Sequence, residues 1–146
     1  MFVLRRSHHN PILIPDRDHY WEGFATFNMC PIAQKKTIFG LFRAVSVPDA
    51  LQTPQQVSII GVGKSTDGLH FTNRTPFIVG EEPWDLFGCE DPRVTFFEGV
   101  YYTFYTALSK YPPDASSIKV GVALSKDLKK VSERHLTLYR ELSNHG

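Results

Sequence analysis

The chain has 146 residues, with 16 Lys or Arg against 15 Asp or Glu, for a net charge of +1. That balance gives no basic stripe or patch for nucleic acid, and no run approaches the ~18 apolar residues of a transmembrane helix. At 42% hydrophobic residues the chain has the material for a core rather than for disorder. In chain order, Arg5 and Arg6 are followed by no apolar segment, so Met1–Arg6 does not read as a secretory signal. His8, His9 and His19 have no further ligand spacing around them and read as surface or loop histidines, with no metal expected. Tyr20 and Trp21 read as core residues, with stacking on a sugar ring as the alternative. The only cysteines, Cys30 and Cys89, make no disulfide framework; free thiols in the cytoplasm are the default expectation.

Eleven Phe, six Tyr and two Trp accompany ten Gly and ten Pro, a mixture that suits short strands joined by tight turns. Strands are predicted over 37–43, 57–63, 93–97, 100–106 and 118–123. Several are near-continuous β-branched and aromatic runs, which predicts cover on both faces. Asp67-Gly68, Glu98-Gly99 and Tyr111-Pro-Pro-Asp114 mark turns between them. The tail over 128–142 reads either as a strand, 134–139, or as a short helix.

Two segments repeat. Gly61-Val-Gly-Lys-Ser-Thr-Asp67 and Gly121-Val-Ala-Leu-Ser-Lys-Asp127 share glycine, valine, serine and aspartate at an offset of 60. Upstream, Phe42-Arg-Ala44 matches Tyr105-Thr-Ala107 at an offset of 63, which also sets Asn28 over Asp91 and brings Cys30 and Cys89 to neighbouring places in the repeat. A unit of about 60 residues holding four short strands is a propeller blade with long loops. The prediction is an all-β chain of about two four-stranded blades: a lead-in segment at 1–23, blade one at 24–77 and blade two at 89–138. A β-sandwich with accidental similarity between hairpins is the alternative. Two blades do not close a ring, so the chain is expected to be a truncated product, a piece of a longer one, or a unit that associates through open blade edges, as in a homo-oligomer.

The most unusual segment is Leu86-Phe-Gly-Cys-Glu-Asp-Pro-Arg-Val-Thr95. The residue before a proline is pushed into the extended region, so Pro92 should fix Asp91 there. Alternation along a strand should turn Glu90 and Asp91 to opposite faces and bring Arg93 to the face of Asp91. A pinned carboxylate beside a guanidinium can bind sugar hydroxyls or donate a proton. It can also be a structural ion pair that ties the blade together, and from the residues alone that reading is the stronger.

Gly88-Cys-Glu-Asp-Pro-Arg-Val-Thr95 resembles the signature of glycoside hydrolase family 130. Asn10-Pro-Ile-Leu13, Trp21-Glu22, Phe27-Asn28, Leu41-Phe-Arg-Ala44, Ser65-Thr-Asp-Gly-Leu-His-Phe71 and Tyr101-Tyr-Thr-Phe-Tyr-Thr-Ala107 resemble its other elements in order. The resemblance covers the chain to about Asp127 and about the first two-fifths of a typical member. It implies an incomplete ring of a five-bladed β-propeller whose full-length members act on β-mannosides. The reaction is phosphorolysis to mannose 1-phosphate or hydrolysis; an inactive or merely carbohydrate-binding piece is the rival expectation. It also implies Asp91 as the general acid, acting through a hydroxyl of the mannosyl residue, and Asn28, Arg43 and Arg93 as substrate- or phosphate-binding residues. No cofactor is expected, with inorganic phosphate as co-substrate and an oligosaccharide as partner. A hydrolase needs a second carboxylate to activate water, whereas a phosphorylase needs cations for phosphate. One indispensable carboxylate with arginines therefore favours phosphorolysis. An adjacent Arg93 would favour the charged form of Asp91, which opposes its work as an acid.

Overall fold

The computed structural model describes residues 3–51 and 55–137, and every regular element in it is a strand. The first sheet holds β1 (Ala25–Gln34), β2 (Thr37–Val45), β3 (Ser58–Ser65) and β4 (Thr72–Ile78). The second holds β5 (Gly88–Phe97), β6 (Val100–Leu108), β7 (Ile118–Ser125) and β8 (Glu133–Leu136). Each sheet is an antiparallel meander in which sequence neighbours pair. They are two adjacent blades of a five-bladed propeller, an incomplete ring. No helix among the described residues is long and apolar enough to cross a membrane.

The blades hold together because their facing sides are apolar. Phe39, Leu41, Ile60, Val62, Phe77 and Ile78 of the first meet Cys89, Tyr101, Tyr105, Ala107, Ala123 and Leu128 of the second in one buried cluster. Each large side chain buried this way contributes about 1.5–3 kcal/mol. The other face of the first blade buries Trp21, Phe42, Ala44, Val57 and Ile59, with Leu13 and Met29 packed over them. Cover on both faces is therefore found for β2 and β3, but not for β6 and β7. In those strands Tyr101, Thr103, Tyr105, Gly121 and Ala123 are buried, while Phe104 and Val120 on the far side are exposed. Their apolar runs reflect a second sheet face that nothing among the described residues covers.

The repeat has a physical basis in three places. A β-carbon at Gly61 would lie 2.7 Å from the Phe42 ring, and one at Gly121 2.4 Å from the Tyr105 ring, so each blade lays an aromatic of its second strand across a glycine of its third. Ser65 Oγ accepts from the amides of Asp67 and Gly68, and Ser125 Oγ from those of Asp127 and Leu128, closing the same turn twice. The connection over 46–57 is three residues longer than its counterpart over 109–117, which is why the offset falls from 63 to 60 between the second and third strands.

β4 had no strand signal in the sequence. Its Pro76 interrupts the pattern, and a proline is tolerated there because β4 lies at the sheet edge. The tail is a strand over Glu133–Leu136; residues 138–142 lie outside the described part, as does the expected end of blade two at Leu138.

Candidate active site

The innermost strand of each blade breaks register at the same place. β1 pairs with β2 up to Phe27 and resumes at Cys30; β5 pairs with β6 up to Glu90 and resumes at Arg93. In each bulge one residue turns into the left-handed region, Asn28 at φ 53° and Asp91 at φ 51°. Asn and Asp are the non-glycine residues that adopt this region most readily. The extended conformation expected for Asp91 ahead of Pro92 is thus overturned: the bulge outweighs the proline's steric preference.

The paired bulges bring four side chains together. Asn28 Nδ2 donates to Asp91 Oδ1 at 2.6 Å. Arg43, from the second strand of blade one, donates through Nη2 to Glu90 Oε1, and its Nη1 lies 3.6 Å from Asp91 Oδ1. Arg43 Nε donates to Ser58 Oγ at 3.1 Å, and the guanidinium sits 4.7 Å from the centre of the Phe27 ring. Glu90 and Asp91 therefore do not diverge to opposite faces. The extra residue of the bulge resets the alternation, and both carboxylates reach one guanidinium.

Arg93 behaves differently from the expectation that it shares the face of Asp91. It is exposed and its Nη1 donates to the carbonyl of Pro92 at 2.7 Å; no ion pair of Arg93 with Asp91 is present among the described residues. Glu90 is the functional candidate that sequence reasoning missed. Strand alternation pointed it away, and only the matched positions of Asn28 and Asp91 in the two units hinted that the strand is irregular there.

Arg43, Glu90 and Ser58 line a cavity of 390 Å3 together with Phe24, Phe27, Phe87 and Tyr111. Asp91 stands beside it, partly open to solvent. Charged groups at one end and aromatic faces around the rest suit a polyhydroxylated ring, whose hydroxyls bond to the former and whose C–H faces pack on the latter.

Two further carboxylates are structural. Glu22, just ahead of β1, is fully buried, takes a bond from His19 Nδ1 at 2.8 Å and lies 3.3 Å from Arg74 Nη1 on β4. Burial pushes its carboxyl above the usual range, against the lowering effect of the His19 bond. Asp85, just ahead of β5, is also fully buried and accepts from the Tyr105 hydroxyl at 2.7 Å and from the amides of Glu81 and Glu82. Arg134 on β8 lies 3.5 Å from it. Each blade is thus tied by an acid before its first strand and an arginine on its last. Asp16, His19 and Glu22 place ligand-type atoms within 4.8 Å of one another, but Arg74 lies 3.3 Å from both carboxylates and supplies the positive charge there. Trp21 is core, as expected, whereas Tyr20 is exposed. Cys30 Sγ accepts from the amide of Val94 and Cys89 is buried; both are free thiols.

A sequence model of a family described as beta-1,4-mannooligosaccharide phosphorylase, glycoside hydrolase family 130, matches residues 8–140. The chain is 35% identical over 136 residues to a beta-1,2-mannobiose phosphorylase of Thermoanaerobacter sp. (strain X514), covering 88% of this chain and 44% of that protein. Its fold matches a glycosyl hydrolase from Bacteroides ovatus with a TM-score of 0.71 at 27% identity, over 88% of this chain and 39% of the other. It also matches, with a TM-score of 0.68 at 26% identity over 91% and 40%, a structure reported under the description of mannoside phosphorylases whose family contains hydrolases targeting beta-1,2 mannosidic linkages in Candida mannan. The chain therefore spans less than half the length of these relatives. The match of an ordered set of elements across nearly the whole chain, from the lead-in segment to the last strand, shows that it belongs to glycoside hydrolase family 130.

Proposed function

We propose that the protein acts on β-mannosides by phosphorolysis, with Asp91 as the general acid and Asn28 and Arg43 binding the sugar. The convergence of Asn28, Arg43, Glu90 and Asp91 at the paired bulges carries this reading. Asn28 holds one oxygen of Asp91, which leaves the other for a substrate hydroxyl. Arg43 is held from three sides by Ser58, Glu90 and Asp91, so its remaining hydrogen-bonding edge is presented in a fixed orientation.

Charge decides what Arg43 does. The Arg43 guanidinium is shared between two carboxyl groups, and with Asp91 carrying the proton its work as an acid requires, Glu90 balances the charge of Arg43. A guanidinium balanced in this way offers phosphate no surplus positive charge, so Arg43 serves sugar hydroxyls and the carboxyl groups, and the cations that hold phosphate come from outside the cluster. Arg93, which makes no bond to the cluster, is assigned no role in the acid step. Hydrolysis is the second reading, favoured by one observation: Glu90 puts a second carboxylate at the same cavity, and an inverting hydrolase needs one to activate water. Against it, Glu90 Oε1 is engaged by Arg43. Inorganic phosphate is then the co-substrate, without a cofactor. Association into a homo-oligomer is supported by the uncovered face of blade two, and a cytoplasmic setting by the two free thiols.

The test is phosphate-dependent release of mannose 1-phosphate from short β-mannosides, with Asp91→Asn as control. Release that requires phosphate and vanishes in the control is expected. Release of mannose independent of phosphate would overturn phosphorolysis in favour of hydrolysis, and turnover that survives Asp91→Asn would remove Asp91 from the chemistry.

A further inference from the structure

The lead-in segment runs beside the turn between β3 and β4 and carries two adjacent histidines to a third. The Asn10 amide donates to the Ser7 carbonyl at 3.2 Å and the His9 amide to Ser7 Oγ at 3.1 Å, so a closed turn presents His8 and His9. Arg74 on β4 holds the segment farther along, donating to the carbonyl of Ile14 at 2.8 Å. The ring centres of His8 and His9 are 4.0 Å apart, and the His9 ring meets that of His70 edge-on at 5.9 Å. His9 and His70 line one groove of 330 Å3, flanked by Leu13 and Phe71, and the groove shares no lining residue with the cavity of Arg43 and Glu90. Spacing along the chain does not register this, because only the fold brings His70 beside the lead-in segment.

The three rings are set for ligation. Among the described residues neither the His8 nor the His9 ring makes a hydrogen bond or an ion pair, so each keeps a free lone pair when neutral. His70 is held differently: its Nδ1 lies 2.7 Å from Asp67 Oδ2. A carboxylate only accepts, so Nδ1 carries the proton and Nε2 is left with the lone pair. Asp67 is fixed in turn by the amides of Leu69 and His70 and by the Ser65 hydroxyl. A histidine whose second nitrogen donates to a fixed carboxylate is how proteins orient metal ligands and raise their basicity. Two imidazoles on one tetrahedral ion, with nitrogens at about 2.0–2.1 Å, have ring centres about 5 Å apart. His9 and His70 stand close to that spacing, and His8, an exposed side chain, can rotate toward the same point. Imidazole donors select Zn2+, Cu2+ or Ni2+ over Mg2+ and Ca2+. Arg74, the cation that lines the groove, has its charge met by Asp16 and Glu22.

We propose that His8, His9 and His70 form a site for one divalent transition-metal ion, with Asp67 orienting His70. The ion fastens the lead-in segment to the β3–β4 turn of blade one. It takes no part in the chemistry at Asp91, so the proposal stands apart from the mannoside reading.

The experiment is a calorimetric titration of the chelator-stripped chain with Zn2+ at neutral to slightly alkaline pH, with Mg2+ as control. One Zn2+ per chain should bind in the micromolar range, Mg2+ should not bind, and Zn2+ should raise the melting temperature. His9→Gln and His70→Gln should each weaken Zn2+ at least tenfold, and Asp67→Asn about tenfold, as loss of a carboxylate behind a ligating histidine does. His9 and His70 are exposed, so neither substitution removes a core contact, and the melting temperature without metal should stay as it was. In imidazole NMR spectra Zn2+ should move the signals of His8, His9 and His70 and leave those of His19 and His135 in place. No binding tighter than millimolar would overturn the proposal, as would Zn2+ binding that survives His9→Gln and His70→Gln together. Binding abolished by His19→Gln instead would place the ion at Asp16, His19 and Glu22 and equally overturn it. Full affinity in Asp67→Asn would refute the orienting role of that carboxylate.

Discussion

Replacing Asp85 by Ala removes the acceptor around which blade two is fastened to the end of blade one. The Tyr105 hydroxyl, on a residue 2% exposed, loses its partner at 2.7 Å. A stranded buried donor costs about 1–3 kcal/mol. The amides of Glu81 and Glu82 lose acceptors at 2.9 Å each, but they lie in a turn that water reaches, so they add about 0.5–1 kcal/mol apiece. Arg134 keeps its bond to the carbonyl of Val79 at 2.7 Å and its contact with Glu81, so its loss is the smaller part. These parts sum to about 2–5 kcal/mol, which overlaps the cost of removing one partner from a buried ionic network. That is a large share of the ~5–15 kcal/mol that keeps a domain folded. Urea unfolding followed by tryptophan fluorescence measures it, since Trp84 adjoins the site. Tyr105→Phe alone should cost about 1–2 kcal/mol, and the double-mutant cycle should return a coupling of about 1–2 kcal/mol. An Asp85→Ala loss under about 1 kcal/mol, or a cycle that adds without coupling, would refute the claim that this carboxylate fastens the blades.

Three other outcomes are expected. Gly121→Ala should destabilise by about 3 kcal/mol, at the upper end of overpacking, because the Tyr105 ring it would strike is pinned by Asp85; Gly61→Ala should cost a comparable amount against Phe42 and Trp21, both by urea unfolding. Bonds from His70, Leu69 and Ser65 hold the Asp67 carboxyl well below its ordinary range, so its contribution is present above the unfolded value near pH 4 and is lost as the pH falls toward the folded one. Asp67→Asn should therefore flatten the decline in melting temperature between pH 5 and pH 2. Glu90→Gln should weaken mannobiose binding about tenfold, measured by calorimetry, because Arg43 then loses a charge-assisted partner.

How far the sequence foretold this depends on the kind of signal. Steric repeats were legible: Gly61 and Gly121, or Ser65-x-Asp67 and Ser125-x-Asp127, stay recognisable because only those residue types perform the function. The acid–arginine ties were not. Arg74 and Arg134 recur at the offset of 60 and Glu22 and Asp85 at 63, but a lone arginine or acid has no turn or packing signature of its own, so the pairing of acid with arginine shows only in space. At the site, Asn28, Arg43 and Asp91 come together, while Arg93 turns away and Glu90 turns in. One extra residue in β5 does this, and alternation rules have no means of registering it.

The paired bulges have a consequence for how such a site can change. Asn28 and Asp91 have nearly the same positive φ at the matching bulge of each blade, so each blade offers a like socket, suited to either side chain. Exchanging acid for amide there alters proton chemistry while the sheet that carries it stays as it was. A fold with this arrangement can gain or lose a catalytic carboxylate by a single substitution in either blade, and relocate one by two, at little risk to its own integrity.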